Sequence, residues 1–313
     1  MTAIRMEGLQ KIYGSVHALD GLTLTVEENT IFGFLGPNGA GKTTAIRLLT
    51  GLAHPSGGKA WVAGEPVGSS RKVAARIGYL PEEPAFYTWM SPLEYLDHVG
   101  RLFGLGAAAR KQRSLELLEL AGLAEVKKRR IAGFSRGMRQ RLGLAQALVN
   151  RPAVLFLDEP VSALDPIGRK EVLELIERLR GQCTIFMSTH ILSDVERVCD
   201  TVGIIHKGKL IVEARQHDLL ERYTLPAFEL ECEDGQEAAF DQWLKGLPAL
   251  GWVKSVTRQG SVGRILVNDL ETAKRSLLGE AARSGVGLLR YEVVKPSLED
   301  VFLRLVNGEE VKQ

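Results

Sequence analysis

Residues 36–44 read Gly-Pro-Asn-Gly-Ala-Gly-Lys-Thr-Thr and follow the apolar run Ile31-Phe32-Gly33-Phe34-Leu35. A helical pattern, Ala45 to Leu49, comes next, so strand, glycine-rich turn and helix succeed one another. The spacing is G-x-x-x-x-G-K-T, with Gly36, Gly41, Lys42 and Thr43 in the defining places. Glycines permit positive φ and close backbone approach, so successive N–H groups can converge on phosphate oxygens. The helix that begins near Lys42 adds the positive end of its dipole. Lys42 brings a mobile ammonium to β- and γ-phosphates, and the Thr43 hydroxyl can ligate Mg²⁺. Pro37, Asn38, Gly39, Ala40 and Thr44 complete the candidate contact set. This stretch alone implies a nucleoside triphosphate and no particular use of it.

The chain around the loop is 313 residues long, which suggests two domains, or one large and one small. A 45% hydrophobic and 25% charged composition is that of an ordinary folded protein with a sizeable core. A net charge of +2 is too small to argue by itself for nucleic acid or an acidic membrane. Cys183, Cys199 and Cys232 are odd in number and spaced for neither a metal site nor a redox pair, so they read as thiols in a reducing compartment. The opening MTAIRMEGLQK has no apolar signal core, and no apolar run approaches the ~18–20 residues that span a bilayer.

Taken in order, Ile4 to Leu9 and Leu22 to Val26 read as strands about a turn at Tyr13-Gly14. The helix after the phosphate loop runs to about Thr50 and stops at Gly51. Lys59 to Ala63 and Ile77 to Leu80 are short strands. Residues 91–151 look almost wholly helical. Ser91-Pro92-Leu93-Glu94 is a capping box that opens Pro92 to Leu105. Ala107 to Ala121 is amphipathic through Leu115, Leu118 and Ala121, and a helix after Ser135 aligns Met138, Leu142, Ala145 and Val149.

α/β order then returns: strand Ala153–Leu157, helix Pro166–Arg180, strand Thr184–Met187, helix Leu192–Val198, strand Val202–His206, and a turn into Leu210–Glu213. Short apolar strands alternating with helices imply a parallel sheet covered on both faces. Character shifts near Tyr223 to Pro226. Beyond it come strand Phe228–Cys232, helix Glu237–Leu244, strands Val253–Thr257 and Ile265–Val267, helix Leu270–Ser284, strand Leu288–Val294 and helix Leu298–Val306. That β-α-β-β-α-β order is consistent with a small ferredoxin-like α+β unit. The expected domains are 1–222, with a helical subdomain at about 85–151, and 223–313.

Two further stretches carry chemistry. Ala153 to Pro160, AVLFLDEP, is an apolar strand that ends in two carboxylates. Asp158 is placed to hold Mg²⁺, directly or through water, and Glu159 suits a base that polarises an attacking water. Phe134 to Gln140, FSRGMRQ, opens a helix that Ser135 can cap, and Gly137 lets something approach closely. It follows the basic run Lys127-Lys128-Arg129-Arg130, which reads as a solvated loop. Seven cationic side chains and no acidic one lie between 127 and 141.

With these residues in place the chain resembles the nucleotide-binding subunit of an ATP-binding cassette (ABC) transporter, an α/β P-loop cassette with a mixed sheet core. GPNGAGKTT resembles the Walker A loop and VLFLDEP the Walker B strand. Ser162-Ala163-Leu164-Asp165 resembles the D-loop, and Ser188-Thr189-His190 the switch-histidine segment. FSRGMRQ is a variant of the signature usually written LSGGQ, and Tyr13 matches the aromatic that stacks on adenine. Five motifs in family order, within residues 4 to about 215, make the resemblance specific. It implies ATP and Mg²⁺ as ligands and two cassettes paired head to tail. Ser135, Arg136, Gly137, Met138 and Gln140 of one subunit would then face the γ-phosphate held by the other. Lys42, Glu159 and His190 would be catalytic, with His190 on the γ-phosphate and the water and Asp165 coupling the two sites. ATP would close the pair and hydrolysis would loosen it.

The departures from the family are local. Glu82 stands where the family commonly has glutamine, so its part in holding Mg²⁺ is open, and Glu83 competes for it. Arg136 replaces the first signature glycine and either helps neutralise phosphate or faces solvent. The variant motifs, and Pro296 to Phe302 with its P-x-L-E-D-x-F pattern, resemble the bacterial multidrug and ABC-2-type exporter branch. That branch has a separate integral-membrane permease, which would put this subunit in the cytoplasm on the inner face of the cell membrane. Ala85 to Tyr95, with Phe86, Tyr87, Trp89 and Met90, is the candidate coupling surface or else subdomain core. A soluble family ATPase acting on ribosomes or DNA is the alternative. A single cassette, no long coiled coil and near-neutral charge count against it, so no nucleic-acid partner is expected. Glu159 and His190 likewise argue against a non-hydrolysing scaffold.

Overall fold

A computed structural model describes residues 1–68, 71–223 and 226–294, together with Leu298 and Phe302. The chain divides into two compact units, Met1–Gln216 and His217–Gln313. The first begins with β1 (Thr2–Tyr13), β2 (Val16–Glu27), β3 (Ile31–Leu35), α1 (Lys42–Leu49), β4 (Gly57–Val62), β5 (Glu65–Pro66), α2 (Arg71–Arg76) and β6 (Ile77–Leu80). α3 (Pro92–Leu102), α4 (Ala107–Leu120) and α5 (Arg136–Ala147) make the helical stretch. β7 (Val154–Asp158), α6 (Pro166–Arg178), β8 (Thr184–Thr189), α7 (Leu192–Val198), β9 (Thr201–His206) and β10 (Lys209–Arg215) complete the unit. β5, α2 and the helix α8 (Gln216–Tyr223) are elements the sequence pattern does not announce.

Two sheets share one hydrophobic core. β2, β1, β4 and β5 form an antiparallel sheet in that order. Alternation in Leu22-Thr-Leu24-Thr-Val26 turns the three apolar residues inward, to 1% exposure each. The second sheet has the order β10-β9-β3-β8-β7-β6. Its neighbours from β9 to β6 are parallel, and β10 closes one edge antiparallel to β9. β3, β7 and β8 are buried at every residue, as strands covered on both faces must be. Phe186 on β8 is the centre of the packing, 5.4 Å from the ring of Phe32, 5.2 Å from Phe34 and 5.8 Å from Phe156.

Register matters most for function. Leu35 pairs with Thr189 and Asp158 with Ser188, so β3, β7 and β8 end level with one another. The glycine loop, the Asp158-Glu159 pair and His190 therefore leave the sheet at one carboxyl edge, where ligands bind in open α/β sheets.

The helical stretch is looser in its regularity than the sequence suggests. The capping box at α3 is present, with Ser91 and Glu94 bonded reciprocally. Between α4 and α5 lie two short 3₁₀ turns, Ala124–Val126 and Ile131–Gly133, rather than continuous helix. Leu115 is 38% exposed, so the buried face of α4 runs through Leu117, Leu118 and Ala121 instead of Leu115. The face expected on α5 is right at Leu142, Ala145 and Val149, but Met138 is only half-buried.

The second unit has β11 (Ala227–Cys232), α9 (Glu237–Gly246), β12 (Val253–Gln259), β13 (Val262–Val267), α10 (Leu270–Ser284) and β14 (Leu288–Val294). The strands form an antiparallel sheet in the order β12-β13-β11-β14. Both helices contribute to its core, where Phe240, Leu244 and Leu277 meet Phe228, Leu230 and Ile265. This is the α+β layout the β-α-β-β-α-β order predicts. The expected helix Leu298–Val306 and the Pro296 to Phe302 pattern lie outside the described residues, Leu298 and Phe302 excepted. So do Thr224 and Leu225, where the sequence changes character.

Candidate active site

A cleft of about 480 Å³ opens at the carboxyl edge of the parallel strands. Asn38, Gly39, Gly41, Lys42, Thr43 and Thr44 form one wall. Glycine is required at two points of the loop. Gly41 sits at φ 109°, and a Cβ there would lie 2.5 Å from the Ala18 carbonyl oxygen. A Cβ on Gly36 would lie 2.4 Å from the Ile205 carbonyl oxygen. Gly36, Pro37 and Ala40 shape the loop without lining the cleft. Gly41 ends the turn and α1 starts at Lys42, so the N–H groups of the first helical turn face the cleft.

Lys42 is 6% exposed, and its Nζ donates to the carbonyl oxygens of Gly36 (2.7 Å) and Pro37 (3.2 Å). The same Nζ is 3.1 Å from Glu159 Oε1. The other carboxylate oxygen, Glu159 Oε2, is 2.9 Å from His190 Nδ1. Glu159 thus joins the loop lysine to the histidine inside one cleft. Its backbone is held at φ 47°, an unusual conformation for a non-glycine residue, and its N–H donates to Ser188 Oγ at 3.1 Å.

Asp158 lies one residue deeper and is 2% exposed. The hydroxyls of Thr43 (3.1 Å) and Ser188 (2.7 Å) both donate to its Oδ1. Burial pushes the Asp158 carboxyl above its usual range, and those two hydrogen bonds oppose the shift only in part. Among the described residues no cationic side chain is ion-paired to it. A buried carboxylate beside a hydroxyl, both offering oxygen, suits a hard divalent cation that the side chains around it do not replace.

The remaining expected residues fall into two groups. Glu82 lines the cleft and accepts a hydrogen bond from the Ser162 hydroxyl at 3.4 Å, whereas Glu83 turns away towards Arg136, 3.9 Å distant. Tyr13 does not line the cleft. It is 46% exposed at the end of β1, with Lys11 Nζ 4.7 Å above its ring. Its partner across the hairpin, Val16, lines the cleft with His17 and Ala18, and so does Lys207. The sequence offers no signal for these four, because strand start and hairpin turn reach the loop only through folding.

Ser135, Arg136, Gly137, Met138, Gln140 and Asp165 are absent from the cleft of their own chain. Ser135 caps α5, accepting from the Met138 N–H at 3.2 Å, and is exposed with Arg136. Gly137 packs α5 on α6, where a Cβ would lie 3.6 Å from Gly168 Cα. Gln140 is 4% exposed. Asp165 caps α6 by accepting from the Gly168 N–H at 3.2 Å.

A phosphate loop, a buried strand-end carboxylate, and a second carboxylate shared by lysine and histidine define a nucleoside triphosphatase of the P-loop class. Comparison with known proteins narrows the class. Residues 19–162 match the ABC transporter family and residues 216–306 the C-terminal domain of DrrA1-3-like ATP-binding proteins. The chain is 40% identical to an uncharacterized ABC transporter ATP-binding protein, YxlF, of Bacillus subtilis, over 97% of this chain and 100% of that one. It is 37% identical to the bacitracin transport ATP-binding protein BcrA of Bacillus licheniformis, over 98% of each. An ATP-binding subunit of an ABC transporter of known structure superposes with a TM-score of 0.64 at 28% identity, covering 71% of this chain and 93% of that one. The chain belongs to the ABC transporter ATP-binding proteins, and it is a nucleotide-binding ATPase. Among the described residues no helix is long and apolar enough to cross a membrane.

Proposed function

We propose that this ATPase drives export through a separately encoded integral-membrane permease, and that it works as a pair of cassettes closing over ATP at the inner face of the cell membrane. The reading rests above all on the Lys42–Glu159–His190 connection at the end of three level strands. Glu159 is the base that orients water, Lys42 neutralises the β- and γ-phosphates, and His190 holds the γ-phosphate and the water. Thr43 and Asp158, hydrogen-bonded to each other, would hold Mg²⁺, with Glu82 of the same cleft as a third candidate; the ion would supply charge neutralisation at the phosphates. The exposure of Ser135 and Arg136 at the start of α5, away from their own cleft, supports a role towards a second subunit. Asp165 then lies between the two sites. Residues 1–222 form the nucleotide-binding domain and 223–313 an accessory domain.

Export is supported by the DrrA-like C-terminal match and the bacitracin transport relative. The permease would dock in a groove of about 480 Å³ lined by Phe86, Tyr95, Val99, Leu102 and Phe103. Its rim is apolar: Leu102 is 74% and Phe103 44% exposed. The pairing is tested by cross-linking. Asn38→Cys in one copy and Ser135→Cys in another should form a disulfide only when ATP is present. Equal cross-linking without nucleotide, or none with it, counts against two cassettes closing on ATP.

A further inference from the structure

We propose that Lys127, Lys128 and Arg130, beside Tyr87 and Trp89, form a surface that binds an anionic lipid bilayer directly. The chain as a whole is nearly balanced, with 40 basic and 38 acidic residues, so four consecutive cations stand out. Lys128, Arg129 and Arg130 are exposed and Lys127 is half-buried. Among the described residues none of the four is within ion-pair distance of a carboxylate. Other arginines of the stretch are engaged elsewhere. Arg139 donates to the Phe134 carbonyl at 2.7 Å, and Arg141 donates to Ala121 at 2.9 Å and pairs with Glu171 at 3.4 Å. Arg129 donates to the Gly133 carbonyl at 2.8 Å. The nearby carboxylate of Glu94 accepts from the Ser91 N–H and hydroxyl, both at 2.8 Å. Asp97, which lines a cavity with Trp89, Met90 and Glu94, is paired with Arg101 and Arg110, and Glu125 precedes the basic run in sequence.

The basic run is tied to the aromatic segment by backbone. The Leu93 N–H donates to the Lys127 carbonyl (3.3 Å), Ile131 to Met90 (2.9 Å) and Ala132 to Thr88 (3.0 Å). Trp89 is 64% exposed, and its ring is 5.0 Å from that of Tyr87. Arg130 reaches Glu94 electrostatically, but Lys127 and Lys128 have no ion pair among the described residues, and cations held next to an exposed Trp-Tyr pair match a bilayer interface. Indole and phenol rings sit at headgroup level, and cations face acidic headgroups. Nucleic acid is the weaker fit, because the cations occupy one short loop rather than a track and the rings pack on each other rather than lying open as a stacking platform.

The choice of a lipid surface rests on the transporter reading, but the test needs neither permease nor ATP, so its failure leaves that reading standing. Purified full-length protein is sedimented with phosphatidylcholine vesicles with or without about 30% phosphatidylglycerol, at low and high salt. Wild-type protein should sediment with the anionic vesicles only, less so as salt rises, and its tryptophan emission should change on binding. Each cation contributes roughly fivefold, so Lys127→Gln with Lys128→Gln and Arg130→Gln should lower partitioning about a hundredfold. Arg129 is left in place because it supports the loop. Trp89→Ser should abolish the emission change. Should the triple variant misfold by circular dichroism, Lys128→Gln alone carries the test with a fivefold loss. Equal binding to neutral vesicles, or unchanged partitioning of a folded variant, overturns the proposal. So does loss of polyuridylate retention in the variant with vesicle binding intact, which would assign the surface to nucleic acid.

Discussion

Replacing Glu159 with glutamine separates binding from chemistry at one atom. The amide has nearly the shape of the carboxylate, so the backbone at φ 47° need not change. What is lost is one negative charge, 3.1 Å from Lys42 Nζ and 2.9 Å from His190 Nδ1. At an effective dielectric of about 20, a pair at that distance has a gross attraction of roughly 5 kcal/mol, most of it cancelled by desolvation of two buried groups. Lys42 keeps its two carbonyl acceptors, so the variant leaves no bare charge. A net destabilisation of about 1–2 kcal/mol follows, or roughly 3–6 °C in Tm for a domain of this size. The effect on turnover is larger. Loss of a positioned general base slows the chemical step by about 10²–10⁴-fold. ATP affinity should hold or tighten, since a negative charge beside the γ-phosphate is gone. The assays are phosphate release under saturating Mg-ATP, calorimetric ATP binding, and gel filtration with and without ATP. The expected result is stalled hydrolysis with an ATP-dependent dimer. Turnover within about fivefold of wild type would refute the assignment of Glu159 as the base.

Two further outcomes follow from the same geometry. Lys42→Ala removes the ammonium bonded to the loop carbonyls and should weaken ATP binding by tenfold or more on calorimetry, the scale of a charge-assisted bond; wild-type affinity would contradict the loop's role. Burial pushes the Cys183 thiol up to about 11 from 9.0, and burial raises Cys199 further in the same direction. The folded state therefore favours the neutral thiol. The Cys183 contribution to stability is intact below about pH 9 and is lost as pH rises through about 11. At pH 8 the native protein should resist iodoacetamide at Cys183 and Cys199 and react fully in urea; stoichiometric native labelling at Cys183 would contradict its burial.

Much of the fold was legible because local chemistry and tertiary packing agree. The short apolar runs of β3 and β7 read as strands covered on both faces, and α7, α10 and β14 occupy the residues their patterns indicate. Leu115 departs from the expected face because helical periodicity allows two overlapping stripes on α4, and packing buries the one through Ser114, Leu117, Leu118 and Ala121. The helix Gln216–Tyr223 carries no proline, glycine or capping box to announce it.

The glycine loop, the strand-end carboxylates and the capped helix at Ser135 were fixed by residue type and spacing, since φ freedom, charge and capping act within a few residues of chain. Three matters needed the tertiary structure. The register of β3, β7 and β8 brings Lys42, Glu159 and His190 into one cleft from positions far apart in sequence. The hairpin of β1 and β2 presents Val16, His17 and Ala18 to the loop in place of Tyr13. Packing of Gly137 against Gly168 leaves Ser135 and Arg136 facing outward from their own site. Hydrogen bonds between strands and contacts between helices join residues a hundred positions apart, and no local pattern records them.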